Sequence, residues 1–135
     1  MKNDALLSCL SLYTILYHTP YSLESLIDGL PVQSGKESIQ GFSLGNFKSI
    51  FSRAAGRAGL VSKLVKKELK DIPDLVLPII LVLKNGQACI LEEFSEHEVK
   101  ILTPDMKDGE SWISKERLEN EYLGFCFYIS KKFRN

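Results

Sequence analysis

The chain has only three cysteines, Cys9, Cys89 and Cys126, and no CxxC pair. An odd count, spread through separate apolar runs, excludes a disulfide framework and points to reduced, buried thiols of a cytosolic protein. Its two histidines, His18 and His97, are too few and too scattered for zinc, which wants three or four clustered ligands. Charge of one sign is also missing. Seventeen basic residues balance seventeen acidic ones, so no global field draws the chain to nucleic acid or an anionic membrane. No segment nears the roughly 20 apolar residues of a membrane helix. The longest run, residues 75–83, is of strand length and contains Pro78. The N-terminus lacks a signal peptide's order of basic, apolar and small residues. Gly35-Lys36 lacks the glycine spacing and following hydroxyl of a phosphate-binding loop, which excludes ATP binding by that route. Internal repeats and low-complexity segments are absent.

What remains is 135 residues with 44% apolar and 25% charged content, the balance of a soluble globular domain able to bury a core. Lysine clusters stand at 63–67 and 131–134 and read as a solvated strand edge and a tail.

Asp4 is placed to cap a helix running to about Tyr17. Leu6, Leu10, Tyr13 and Tyr17 recur at helical spacing, and Cys9, Leu12 and Leu16 widen the stripe. So apolar a helix belongs in the centre of a domain. Thr19-Pro20 stops it, and His18 suits its C-terminal dipole. Ser22 caps a short helix, residues 23–28, closed by Gly29 and Pro31. Residues 32–41 read as a loop. Ser43 caps a third helix with Phe47, Ile50, Phe51, Ala54 and Ala58 on one face and Gly59 as its stop. The period then becomes strand-like. Strands are expected over 60–66, 76–84, 87–94, 98–102 and 124–130, with a short one at Trp112-Ile113. Asn85-Gly86 is a strong hairpin signal, because a type I′ turn needs positive φ at both positions. Ser114 caps a brief helix to about Tyr122. His97 falls in a polar turn. Helices first and a mostly antiparallel sheet second make an α+β layout.

Several local runs carry a resemblance. They are Asp4-Ala5-Leu6-Leu7-Ser8-Cys9-Leu10, Tyr17-His18-Thr19-Pro20-Tyr21-Ser22, the run Arg53-Ala54-Ala55-Gly56-Arg57-Ala58-Gly59-Leu60, Leu77-Pro78-Ile79-Ile80 followed by Asn85-Gly86, and Gly124-Phe125-Cys126-Phe127-Tyr128. In order and spacing they resemble the papain-like cysteine peptidases that trim double-glycine leaders at the head of bacterial export transporters. The resemblance spans nearly the whole chain and implies a papain-like fold, helices packed on a mostly antiparallel sheet. It also implies where the catalytic groups would stand. The nucleophile's place holds Ala5, the base's place Gln87, and the orienting aspartate's place Thr103, in Thr103-Pro104. The oxyanion-hole glutamine falls before Met1. Covalent acyl transfer needs a thiolate, a base and an orienting group. These three residues supply none of them, so the expectation is that the chain has no catalytic residues and is not an enzyme. Cys9, one turn beyond Ala5, reads as packing.

Gly29-Leu30-Pro31 and the Arg53–Leu60 run bring the chain nearer a non-catalytic branch, the N-terminal cytoplasmic domain of type I secretion ABC transporters for RTX toxins and adhesins. That resemblance implies that residues 1–135 are one peptidase-like domain of a longer transporter. Its place would be the cytoplasmic face of the bacterial inner membrane. The domain itself would need no cofactor or metal, ATP and Mg belonging to the parent. Its partners would be an unfolded RTX-type substrate and the transporter's own transmembrane and ATPase domains, with no nucleic acid. The expected role is to bind or position unfolded substrate, with Gln87, Tyr21, Phe42 and Trp112 as binding candidates. The alternatives are a structural or regulatory module without substrate contact, and an active leader peptidase using Cys9.

Overall fold

The computed structural model of the chain describes residues 5–18, 20–28, 44–104 and 110–131. The expected caps at Asp4 and Ser43, the Gly29–Pro31 stop, the loop at 32–41, Phe42, the Phe47 side chain and the tail beyond Lys131 lie outside the described residues.

Among the described residues three α-helices come first: α1 (Ala5–Tyr17), α2 (Leu23–Ile27) and α3 (Leu44–Arg57). The sheet is built from β1 (Leu60–Lys66), β2 (Ile79–Leu83), β3 (Ala88–Phe94), β4 (Glu98–Leu102), β5 (Ser111–Ser114) and β6 (Tyr122–Lys131). A short helix, α4 (Lys115–Glu121), precedes β6. The strands form one sheet in the order β1-β6-β2-β3-β4-β5, every pair antiparallel. Helices on an antiparallel sheet are the α+β arrangement expected from the sequence.

Alternation along each strand divides the apolar residues between two faces. Ile80 and Val82 of β2 join Ala88, Ile90, Leu102, Phe127 and Ile129 against the helices, where Leu6, Cys9, Leu10, Leu26, Phe51 and Ala54 meet them. Ile79, Leu81 and Leu83 point the other way, with Cys89, Leu91, Val99 and Cys126, and are covered by Leu118 of α4 and by Leu69 and Ile72. All five residues of β2 are therefore buried. The Phe51 and Phe127 rings stack with centroids 4.0 Å apart, joining α3 to the sheet.

Local signals act where the sequence puts them. The Ser22 hydroxyl accepts from the Ser25 N–H at 3.1 Å and the Ser114 hydroxyl from the Arg117 N–H at 3.1 Å, capping α2 and α4. Gly59 ends α3 at φ 77°. Asn85 and Gly86 take φ 59° and 71°, the positive pair of the hairpin turn between β2 and β3. Two expectations need correction. The second strand is shorter than residues 76–84, because Asp74–Val76 closes a 3₁₀ turn and Pro78 has no N–H to give a ladder. The apolar stripe of α1 does not stay buried to its end: Leu16 is 46% and Tyr17 36% exposed.

Two buried polar residues of α1 fasten the chain reversal that follows it. The Ser11 hydroxyl donates to the Tyr21 carbonyl at 2.7 Å. Thr14 Oγ1 accepts from the Tyr21 N–H at 3.0 Å while donating to the Ser11 carbonyl at 2.7 Å. Thr14→Val keeps the shape and removes the acceptor, leaving a backbone N–H unpaired. Urea unfolding is expected to show a loss of about 1–3 kcal/mol. A variant as stable as the original chain would show that this reversal does not depend on the hydroxyl.

Candidate functional site

The first turn of α1 is held by Leu6, Leu7, Cys9 and Leu10, each at most 1% exposed, while Ala5 is half-buried at its head. The helix packs over β3. At its far end the Tyr17 hydroxyl donates to Glu92 of β3, the strand that the β2–β3 turn leads into. That turn carries Gln87, exposed, its Nε2 3.5 Å from the Asn85 carbonyl. The pairing of Ile90 with Leu102 sets the start of β3 beside the end of β4. Half-buried Thr103, the residue after β4, thus stands at the same end of the sheet as Gln87. Of the three positions carried over from the resemblance, Gln87 and Thr103 thus share one end of β3 and β4, and Ala5 heads the helix packed over β3.

The binding candidates are more dispersed. Trp112 lies on β5, paired with Lys100, and is 45% exposed. Lys100 is two residues from Leu102, which faces the helices, so Trp112 is on that face too. Tyr21 is half-buried against the helix-side core. Phe42 lies outside the described residues. A groove of about 590 Å³ opens on the opposite face of the sheet among Leu69, Ile72, Phe94, Lys115 and Glu119, and none of the candidate residues lines it.

All three cysteines are buried, and none forms a disulfide among the described residues. Burial pushes the Cys89 thiol up to about 12 and raises Cys126 as well, so both remain protonated at neutral pH. Cys9 is fully enclosed in the helix-side core. His18 stacks on Tyr13, centroids 5.2 Å apart, and burial together with nearby Lys131 lowers its pKa. A dipole interaction would raise it, so packing on Tyr13 is the better account of this residue. His97 is an exposed turn histidine beside Glu96. Among the described residues no group of three or more potential ligands could hold a metal ion, and no helix is long and apolar enough to cross a membrane.

One cluster went unread in the sequence. Glu92 sits where the β3–β4 register shifts, with one carboxylate oxygen on Tyr17 and the other buried without a hydrogen-bond partner. Burial raises its pKa, Lys100 opposes this, and Glu110 and Glu93 add to it. Lys100 Nζ lies 3.2 Å from Glu93 and 3.6 Å from Glu110. Only a tertiary contact with Tyr17, 75 residues away, marks Glu92 as special.

The sequence matches the Peptidase C39 family over residues 1–134. The structure is similar to the N-terminal peptidase C39 like domain of the toxin secretion ATP-binding protein from Vibrio parahaemolyticus. The TM-score is 0.82 and the identity 34%, over 98% of this chain and 100% of that one. The peptidase domain of Streptococcus ComA, a bi-functional ABC transporter, superposes with a TM-score of 0.76 at 19% identity, over 98% of this chain and 95% of that one. A double glycine motif protease from an AMS/PCAT transporter, solved with its leader peptide, gives 0.70 at 19% identity, over 98% and 88%. No curated protein matches. The expectation that the chain is not an enzyme is overturned by these findings. The matching family is one of peptidases, and the similar structures include a protease and a peptidase domain. Side-chain identities at positions 5, 87 and 103 were too narrow a basis against a likeness that runs from α1 to β6.

Two outcomes follow from the buried groups. A thiol-reactive dye is expected to label the native chain slowly and all three cysteines once it is unfolded; rapid native labelling would contradict their burial. For Glu92, the raised folded pKa means the folded state binds more protons above the ordinary carboxylate value of 4.5. Its ionisation therefore lowers stability as pH rises from there. Glu92→Gln is expected to gain stability relative to the original chain between pH 4.5 and 7, read by thermal unfolding at each pH. A difference independent of pH would contradict the shift.

Proposed function

Because the chain belongs to the Peptidase C39 family, we propose that it is the peptidase-like domain of an ABC export transporter and takes an extended segment of the exported polypeptide at the Ala5 end of α1. The observation that carries this reading is the 34% identical match to a toxin-secretion protein's N-terminal domain, which leaves almost none of either chain over. A domain of this family must hold a chain extended before any peptide bond is cut. The parts for holding are present. Ala5 heads a rigidly packed helix, and the exposed Gln87 amide can both donate to and accept from a peptide backbone. Thr103 stands at the same end of the sheet, after β4. Trp112, on the same face of the sheet, offers a ring to an apolar side chain.

The exported polypeptide on this reading is an unfolded RTX-type chain, met at the cytoplasmic face of the bacterial inner membrane. Residues 1–135 act as one domain, and the parent's transmembrane and ATPase domains, with their ATP and Mg, supply transport. Ordering an unfolded chain carries an entropic cost, so the contact is weak and transient.

The test is an NMR titration of the isotope-labelled chain with a calcium-free RTX fragment, repeated with the calcium-folded fragment. Shifts centred on Ala5, Gln87 and Thr103 with the unfolded form alone are expected; none at millimolar ligand would overturn the reading. A second experiment addresses the three positions directly. Ala5→Cys, Gln87→His and Thr103→Asp combined are expected to raise cleavage of a double-glycine peptide over the unaltered chain by about 10²-fold or more. An unchanged rate in a folded variant would show that the carried-over positions are not the catalytic ones.

A further inference from the structure

We propose that the outer edge of β1 is a docking strand for an extended acidic polypeptide, which adds to the sheet as a further strand. In the sheet order β1 is terminal, and among the described residues its strand partner is β6 alone. In an antiparallel pair, alternate residues turn their N–H and C=O away from the neighbour. Alternate positions of the seven-residue β1 thus present an open row of donors and acceptors, longer than the row on the four-residue β5 at the opposite edge. A peptide satisfies both kinds of group in register. A phosphate surface, whether lipid or nucleic acid, offers acceptors only and would leave the carbonyls unpaired.

Charge selects the kind of peptide. Lys63 and Lys66 lie within β1, Lys67 follows it, and Lys131 on β6 pairs with Leu60; all four lysines are exposed. No acidic residue stands in the strand. Val61, 48% exposed, adds an apolar contact on the face it shares with Lys63. A second copy of the chain is a poor occupant, because an antiparallel pair centred on this edge sets Lys63 against Lys63. The lysines that keep the edge from pairing with itself therefore favour an acidic strand over a neutral or basic one. This surface is formed by other residues than the α1 end of β3, and the proposal does not depend on what binds there.

The experiment is an amide-shift titration of the labelled chain with a nine-residue peptide that repeats Asp-Asp-Val-Val, so that each face of the added strand carries both aspartate and valine. A second peptide of the same sequence carries N-methyl groups on alternate residues. Shifts along residues 60–66 and 125–131 are expected with the first peptide only, since N-methylation keeps the charge but removes the ladder. K63E/K66E, its fold checked by its amide spectrum, is expected to bind about tenfold more weakly, with the difference shrinking at high salt. Equal binding of the N-methylated peptide would overturn the strand, and shifts confined elsewhere would overturn the site. Vesicles containing anionic lipid are tested alongside; if they perturb residues 60–66 and the peptide does not, the surface is a membrane contact and the proposal fails.

Discussion

Burial of β2 on both faces is the constraint around which the molecule is organised. A strand whose five residues all lose contact with water requires cover above and below it. The helical half of the chain supplies one cover and α4 with the 3₁₀ turns supplies the other. Each apolar side chain placed this way contributes about 1.5–3 kcal/mol relative to exposure. That gain fixes the packing of α1 across the middle of the sheet. The candidate positions are set around that packing: Ala5 is the head of α1, Gln87 precedes β3 beneath it, and Thr103 follows the neighbouring β4.

Much of this was legible in the sequence because it rests on local chemistry. Ser22 and Ser114 cap helices by reaching three residues ahead, Gly59 and Asn85-Gly86 adopt positive φ, and β2 reads as a run without polar residues. All of these are short-range signals. The harder parts depend on contacts between distant segments. Ser11 and Thr14 look like polar interruptions of an apolar helix until Tyr21 folds back onto them. Glu92 looks like any strand glutamate until Tyr17 closes over it. The end of α1 reads as a continued stripe, but Leu16 and Tyr17 stand 46% and 36% exposed, and Tyr17 meets β3 through its hydroxyl.

The site itself was legible in part. The strand register brings positions 87 and 103 to one end of β3 and β4, and position 5 heads the helix that packs over β3. The conclusion drawn from those three identities alone did not survive comparison with the family. Binding geometry in such a domain resides in the scaffold, whereas three residues report only their own chemistry. The burial of Cys9, by contrast, could be read correctly from sequence, since a cysteine on the apolar face of a central helix is among the residue types most often enclosed.

The sheet order carries a last consequence, for the sequence of events in folding. β6 lies between β1 and β2, though it is made after every other strand. While a ribosome is still adding residues, the first strand has no neighbour and the hairpin beyond it has one bare side. The two parts can join only when the final stretch of chain arrives and inserts between them. Loop closure over such distances is slow, and exposed edges in the interval are a liability. The lysines of β1 thus protect a strand that must wait, throughout synthesis, for the one strand that pairs with it among the described residues.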